Sequence, residues 1–185
     1  VKTCIDKLRK VVRVSLTTPG ARWGLEPFGS AVSGFCTSAS DLDVVAFQEI
    51  PGPHGITDSV AALKSIQKYL TKHPSYSKKF EVLAGIFRTR VPILKLRYLP
   101  GADRARASGK QPLPFLDVDM SVNALVALPN TRLLAAYASL DPRIKKLGVA
   151  VKLWAKEHGV SGAPDGNLSS YALLNMVIYY LQVGG

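Results

Sequence analysis

The sequence predicts a mixed α/β fold of the α+β type, in which a sheet with flanking helices is followed by a helical region. Apolar residues recur at helical spacing near the start of the chain and again after residue 129. Between these regions lie apolar and β-branched stretches that are typical of strands, separated by glycine- and proline-containing loops. A hydrophobic content of 47% is sufficient for a sizeable core.

The first elements follow from periodicity and turn residues. Residues 5–14 have the apolar spacing of an amphipathic helix, and residues 23–28 lead into a Gly-Ser turn. Residues 42–47 form a short apolar run that predicts a strand. Thr57 is placed to cap a helix that continues to about residue 72.

Three further strands are predicted, at residues 80–87, 91–99 and 115–122. Pro92 must lie at a strand start or on a sheet edge, because proline has no N–H to donate to a neighbouring strand. These strands and the intervening helix complete the first unit.

The remaining elements are helical. Pro129 begins a helix to about residue 138, and Asp141 followed by Pro142 gives the N-cap and first position of a longer helix to about residue 158. Asn167 is expected to cap a final helix over residues 168–182. Its tyrosines Tyr179 and Tyr180 are expected in the core.

The charge of the chain favours a polyanionic partner. Lys and Arg number 24 against 13 Asp and Glu, for a net charge of +11. Nucleic acid is the first expectation and an anionic membrane the second. Residues 100–114 form a basic loop, either a solvated insertion or an RNA contact; its cations are Arg104, Arg106 and Lys110.

Other features point to an intracellular protein. Cys4 and Cys36 are far apart and match no metal-site spacing, which suits a reducing compartment. No apolar run reaches membrane-spanning length, and the first residues are charged rather than signal-like. A mitochondrial setting is compatible with the basic charge, and the cytoplasm is the alternative.

The sequence motif most indicative of function is FGSAVSGFCTSASDLDVVAF. Gly29 and Ser30 can present backbone N–H groups and a hydroxyl to a phosphate. Asp41 and Asp43 are two residues apart, so on a strand they point to the same face. Carboxylates arranged in this way suit Mg²⁺, which also coordinates substrate phosphates.

Later residues make a resemblance specific. The segments DVDMSVN, LPNTR, VKLWAKEHGV and LSSYALLNMVIYYL follow the first motif in order. The chain thereby resembles the non-canonical poly(A) polymerases and terminal uridylyltransferases of the DNA polymerase β-like nucleotidyltransferase superfamily. The resemblance implies a catalytic domain over residues 20–128. Residues 1–19 and 129–185 would form part of a helical nucleotide-binding domain of the poly(A) polymerase-associated type, truncated at residue 185.

The resemblance also implies roles for individual residues. Asp41, Asp43 and Asp119 would be the catalytic and metal-binding residues, with Mg²⁺ or Mn²⁺ as cofactor. Asp117 lies on the same face as Asp119 and is a rival for the third position, with a structural role favoured. The nucleotide-binding residues would be Gly29, Ser30, Asn130, Thr131, Lys152, Lys156, Ser170 and Tyr171.

Within that set, the two lysines would bind the triphosphate, Asn130 and Thr131 would reach the ribose hydroxyls, and Tyr171 would stack on the base. From the residues alone, Lys152 and Lys156 also fit a solvated basic helix face.

The expected function is template-independent addition of nucleotides to an RNA 3′ end, with UTP favoured and ATP as the alternative. A catalytically silent RNA-binding subunit of the same fold and an enzyme that modifies small molecules are two further alternatives. Partners are a nucleoside triphosphate and the RNA 3′ end, with no membrane and with a protein complex left open.

Overall fold

The computed structural model describes residues 1–17, 19–38, 40–52, 55–101, 114–162 and 166–184. These residues divide into two compact units. The sheet unit contains Val1–Phe28 and Asp41–Ala127, and the helical unit contains Gly29–Ser40 and Leu128–Gly185. The basic-loop residues Arg104, Arg106 and Lys110 lie outside the described residues, as does His54.

The sheet unit is built on a five-stranded mixed sheet, as the α+β prediction required. The strands are β1 Arg22–Phe28, β2 Leu42–Ile50, β3 Phe80–Ile86, β4 Ile93–Tyr98 and β5 Leu116–Val122. Their order across the sheet is β1-β2-β5-β4-β3. Strands β2 and β5 are parallel, and the other neighbours are antiparallel. From the sequence, residues 23–28 are expected only to lead into the Gly-Ser turn. In the structure they form part of the edge strand β1.

The five predicted helices are found to within a few residues, and two short helices of 4 residues each in the described part of the chain were not predicted. They are α1 Lys2–Ser15, α2 Ser30–Ser33, α3 Ser59–Lys72, α4 Pro74–Ser77, α5 Ala127–Leu140, α6 Pro142–Glu157 and α7 Ser170–Gly184. Within the described residues, none of them combines the length and the apolar character that crossing a bilayer requires.

Helix α1 packs in the sheet unit, against β1 and α3. Its apolar stripe includes Cys4, Leu8 and Val12, which are fully buried in one cluster with β1 and α3. Burial among apolar neighbours raises the pKa of the Cys4 thiol to about 12. The sequence pattern identified this stripe but did not specify which surface would cover it.

The sheet has two chemically different faces. Alternate residues of β2, β4 and β5 are buried in the core beneath α1 and α3; they are Leu42, Val44, Ala46, Leu94, Leu96, Tyr98, Val118, Met120 and Val122. The residues between them therefore point to the opposite face. These include Asp43, Lys95 and Asp119, so the charged side chains lie on the face away from the core.

The helical unit has its own core, in which residues 29–40 take part. Phe35 is fully buried with Leu134, Ile144, Leu174 and Ile178. Gly148 lets this packing occur, since a Cβ there would lie 2.8 Å from the Phe35 ring and 2.7 Å from Leu174.

Three local predictions differ from the structure: two helix caps and the burial of two tyrosines in α7. Asp58, not Thr57, caps α3 by accepting a hydrogen bond from the Ala61 N–H at 2.7 Å. At α7 the Ser169 Oγ accepts from the Ala172 N–H, whereas Asn167 donates to the Gly159 carbonyl.

Tyr179 and Tyr180 are 66% and 62% exposed instead of buried. The buried stripe of α7 consists of Leu173, Leu174, Val177 and Ile178, and the two tyrosines fall outside it.

Helix α1 should stabilise the sheet unit. We expect Leu8→Ala to lower the free energy of unfolding by about 2–5 kcal/mol, because it leaves a cavity in the cluster beneath the sheet. The exposed neighbour Lys10 supplies the control, since Lys10→Ala should change stability by less than about 0.5 kcal/mol. Urea denaturation measures both, and equal effects would contradict this packing.

Candidate active site

Strand register brings together two of the three predicted carboxylates, Asp43 and Asp119, in the sheet unit. Asp43 on β2 is the direct partner of Asp119 on β5, and Asp119 is in turn the partner of Lys95 on β4. The row is completed on the other side by Phe28, the last residue of β1, which is paired with Asp43. Asp41 immediately precedes β2 and is exposed.

Lys95 offsets part of the negative charge of this row. Its Nζ donates to both carboxylate oxygens of Asp119, at 2.9 and 3.1 Å. The hydrogen bond to Asp119 raises the pKa of Lys95, against a smaller opposing effect of burial. The charges of Asp119, Asp41 and Asp43 raise it further. Asp41 and Asp43 therefore lie close enough to act on the same ammonium group.

The rival carboxylate Asp117 has a different partner. Arg97, its cross-strand neighbour on β4, forms two hydrogen bonds to it at 2.7 and 3.0 Å. That pairing lowers the pKa of Asp117. The Arg97 guanidinium also lies over the Phe115 ring, 4.0 Å from its centre. A bidentate pair of this kind supports the structural role that the sequence favoured for Asp117.

The carboxylates fit a divalent cation by their chemistry, although their present arrangement is not that of a bound metal. Within the described residues, no group of three acidic, histidine or cysteine side chains is positioned to hold an ion. Asp41, Asp43 and Asp119 nevertheless provide oxygen donors of the type that Mg²⁺ and Mn²⁺ prefer. Lys95 already supplies a positive charge at this site, so an ion would share or replace its contact with Asp119.

The Gly-Ser turn belongs to the helical unit and is held by Thr131. Gly29 has a φ of 70°, a conformation that favours glycine, and its N–H donates to the Thr131 Oγ1 at 2.9 Å. Thr131 is 95% buried, given its relative exposure of 5%. Its hydroxyl thus fixes the turn, and the ribose contact that the resemblance implies for Thr131 stays a prediction. Ser30 follows as the first residue of α2.

The two phosphate-binding candidates on α6 have different surroundings. The Lys152 Nζ donates to the Phe35 carbonyl at 2.9 Å and is partly buried, whereas Lys156 is exposed. Lys145 lies on the same face of α6 as Lys152. Its Nζ is 3.9 Å from the position that a Cβ on Gly34 would occupy. Two lysines of α6 therefore lie along residues 34–35.

The ribose and base candidates are also neighbours within the helical unit. The Tyr171 hydroxyl donates to the Asn130 Oδ1 at 3.4 Å. Tyr171 is 37% exposed, and Ser170 beside it is exposed at the start of α7. A partly exposed ring with its hydroxyl hydrogen-bonded can offer one face for stacking.

Sequence reasoning missed the cations of β4. Lys95 and Arg97 alternate with the buried Leu94 and Leu96, a pattern that already places both on the same face as the carboxylates. What the sequence did not supply is the register that sets Lys95 opposite Asp119 and Arg97 opposite Asp117.

Comparison with known proteins gives a consistent result. The family described as "Poly(A) RNA polymerase, mitochondrial-like, central palm domain" matches residues 2–139. Human terminal uridylyltransferase 7 is 34% identical over 184 residues, which is 96% of this chain and 11% of that protein. The poly(A) RNA polymerase GLD2-A of Xenopus laevis is 33% identical over 154 residues, 83% of this chain and 27% of that protein.

Solved structures resemble this chain as well. The Cid1 poly(U) polymerase with MgGTP bound superimposes with a TM-score of 0.70 and 28% identity, over 97% of this chain and 49% of that one. The non-canonical poly(A) polymerase complex GLD-2–GLD-3 gives a TM-score of 0.67 and 29% identity, and the match covers 100% of this chain and 55% of that one. The chain thus spans about half of these structures and a smaller share of the relatives matched by sequence.

Lys95 should compete with a divalent cation for the carboxylates. We expect Lys95→Met to tighten Mn²⁺ binding about fivefold, because a solvent-screened unit charge a few ångströms away contributes about 1 kcal/mol. The melting temperature of Lys95→Met in EDTA should be lower than that of the unmutated chain, since the carboxylates then lack the Lys95 ammonium group. Isothermal titration with Mn²⁺ and thermal melts provide the two measurements.

Arg97→Met is the matched control, because it removes a cation from the same strand and face but leaves Lys95 on Asp119. It should leave Mn²⁺ affinity unchanged. Equal tightening in both variants would mean that only the overall positive potential matters, and weaker binding in Lys95→Met would contradict the competition.

Proposed function

The chain belongs to the poly(A) RNA polymerase, mitochondrial-like, central palm domain family, and from this we propose that it is a template-independent RNA 3′-terminal nucleotidyltransferase. In this reaction the RNA 3′-hydroxyl attacks the α-phosphate of a nucleoside triphosphate and pyrophosphate leaves. The observation that supports it most is the cross-strand row that joins Asp43 to Asp119 and Lys95, with Asp41 next to it.

Asp41, Asp43 and Asp119 are the residues that would hold the divalent cation, Mg²⁺ or Mn²⁺. When bound, such an ion orients phosphate oxygens and offsets the charge that develops on them. The carboxylates bind and orient, and the apolar core beneath the sheet keeps their strands fixed. Asp117 remains paired with Arg97 and holds β5 beside β4.

The nucleotide-binding roles are proposed residue by residue. Lys152 and Lys156 supply positive charge for the triphosphate, and Ser30 supplies a hydroxyl next to Gly29. Asn130 contacts the ribose, while Thr131 acts by holding the Gly29 turn. Tyr171 stacks on the base, with Ser170 beside it.

UTP is the proposed nucleotide, and ATP is the second candidate. Terminal uridylyltransferase 7 matches 96% of this chain, and Cid1 poly(U) polymerase structures share its fold. GLD2 poly(A) polymerases match at similar identity over 83% of the chain, which is the observation that favours ATP. The single stacking residue Tyr171 does not distinguish these bases, because every base has a ring face.

A protein partner is compatible with this function, since the neighbour GLD-2 was solved in complex with GLD-3. The presence of Asp41, Asp43 and Asp119 argues against a catalytically silent subunit, because metal-dependent transfer needs oxygen donors of this kind. An intracellular location, mitochondrial or cytoplasmic, stays a prediction of the sequence.

Loss of any carboxylate of the proposed metal site should abolish transfer. We expect Asp41→Ala, Asp43→Ala and Asp119→Ala each to reduce extension of a labelled RNA with UTP or ATP to background, because each loses an oxygen donor for the cation. Circular dichroism and melting temperature check that each variant is folded.

Asp117→Ala serves as the internal comparison on the same strand, and it should keep most of the activity. If Asp117→Ala is inactive while Asp119→Ala still extends RNA, the assignment of the third carboxylate is wrong. If the unmutated chain fails to extend RNA with every nucleotide and every divalent metal ion tested, the proposed function is wrong.

Tyr171 should supply affinity without selectivity. We expect Tyr171→Ala to weaken UTP and ATP binding alike, by about fivefold or more, because stacking on any base is worth about 1–3 kcal/mol. Tyr171→Phe should have a mild effect, since it keeps the ring and loses only the long bond to Asn130. Equilibrium binding of both nucleotides tests this, and loss of one nucleotide alone would contradict it.

A further inference from the structure

A groove lies on the sheet unit, between the end of α1 and the helices α3 and α4. We call it the α1–α3 groove; it has a volume of about 510 Å³ and is lined by Val14, Ser15, Ser65, Lys68, Tyr69, Lys72, His73 and Pro74. That volume is within the range of ligand-binding pockets, which is about 300–1,000 Å³.

The groove is separate from the carboxylate row. Helices α1 and α3 cover the face of the sheet that carries Leu42, Val118 and Leu94. Asp43 and Asp119 alternate with those residues and point to the opposite face. A ligand in the α1–α3 groove therefore has the whole sheet between itself and the carboxylates.

The charge of the groove favours an anion. Lys68 and Lys72 are one helical turn apart, both are exposed, and both line it. None of its lining residues carries a carboxylate. The sequence of α3, SVAALKSIQKYLTK, contains no acidic residue either, so no charge on this helix offsets the lysines.

Aromatic rings lie close to these lysines in the chain, and Tyr69 and His73 line the groove. The Tyr69 ring is 5.0 Å from the His73 ring and 5.8 Å from the Tyr76 ring, and His73 and Tyr76 are 5.2 Å apart. All three side chains are partly exposed. The Ser15 Oγ is buried at the groove and has no hydrogen-bond partner among the described residues.

Rings that can stack on bases, next to lysines that can bind phosphates, are the combination that single-stranded nucleic acid requires. A lipid surface would instead favour an exposed apolar face, which the two apolar lining residues Val14 and Pro74 do not provide. We propose that the α1–α3 groove binds a single-stranded part of the RNA substrate, away from its reacting 3′ end. This inference rests on the proposed function for the identity of the ligand.

The test measures RNA binding without chemistry. Fluorescence anisotropy of a labelled single-stranded oligouridine of about 20 nucleotides, in EDTA and without nucleotide, is compared for the full chain and the double variant Lys68→Glu/Lys72→Glu. The control Lys2→Glu/Lys64→Glu makes the same charge change at exposed lysines outside the groove lining.

We expect the groove variant to bind about tenfold more weakly at low salt, with the control within about twofold of the unmutated chain. The slope of log affinity against log salt should fall by about 1.4, the value for two lost phosphate contacts to a single strand. Photo-crosslinking with 4-thiouridine RNA should label Tyr69, His73 or Tyr76 in the unmutated chain.

Equal weakening in both variants, or crosslinks only elsewhere, would overturn the proposal. So would an acidic peptide that, added before irradiation, prevents crosslinking as effectively as unlabelled single-stranded RNA does, because the groove would then be a general anion surface. The proposed function is tested separately, by assaying extension of a very short RNA with each nucleotide. If the unmutated chain binds and crosslinks as expected but extends no RNA, the proposed function fails and the groove proposal is supported.

Discussion

The parallel pairing of β2 with β5 is the constraint on which the site depends. It sets Asp43 directly opposite Asp119, two like charges in a position that ordinarily destabilises a sheet. The chain accommodates them because antiparallel β4 brings Lys95 opposite Asp119 and places an ammonium group on both of its oxygens. The sheet thus carries its own cation where the proposed function requires a metal ion.

The two faces of the sheet separate stability from chemistry. On one face, the apolar residues of three strands and the stripes of α1 and α3 form a continuous core. On the other face, the residues between them include the carboxylates with Lys95 and Arg97. A one-residue shift of register would exchange these faces, so the same packing that stabilises the sheet unit also fixes the positions of the charged groups.

Much of this could be predicted from sequence, and the omissions have physical reasons. The spacing of the motifs and the resemblance together single out Asp41, Asp43 and Asp119 as candidates, and the longer helices could be predicted because their periodicity is strong. Lys95 was missed because cross-strand register is a property of the folded sheet rather than of a single strand. The packing of α1 against β1 and α3 could not be predicted, because an apolar stripe specifies that a surface must be buried but not the surface that covers it.

The caps of α3 and α7 were each misplaced by one or two residues, since Thr57 and Asp58, or Asn167 and Ser169, are equally suitable by residue type. The hydrogen bond that Thr131 accepts from Gly29 could not be predicted, for a related reason. A threonine near an asparagine suggests a ligand contact, but only the folded chain shows that its hydroxyl receives the Gly29 N–H.

The most direct test of the account is a crystal structure of the chain grown with Mn²⁺ and UTP, with anomalous scattering used to locate the ion. We predict an anomalous peak within coordination distance of Asp41, Asp43 and Asp119, with the Lys95 ammonium moved from at least one Asp119 oxygen and Asp117 still paired with Arg97. A peak coordinated by Asp117, or an ordered triphosphate with Lys95 still bidentate on Asp119 and no ion at the row, would contradict it.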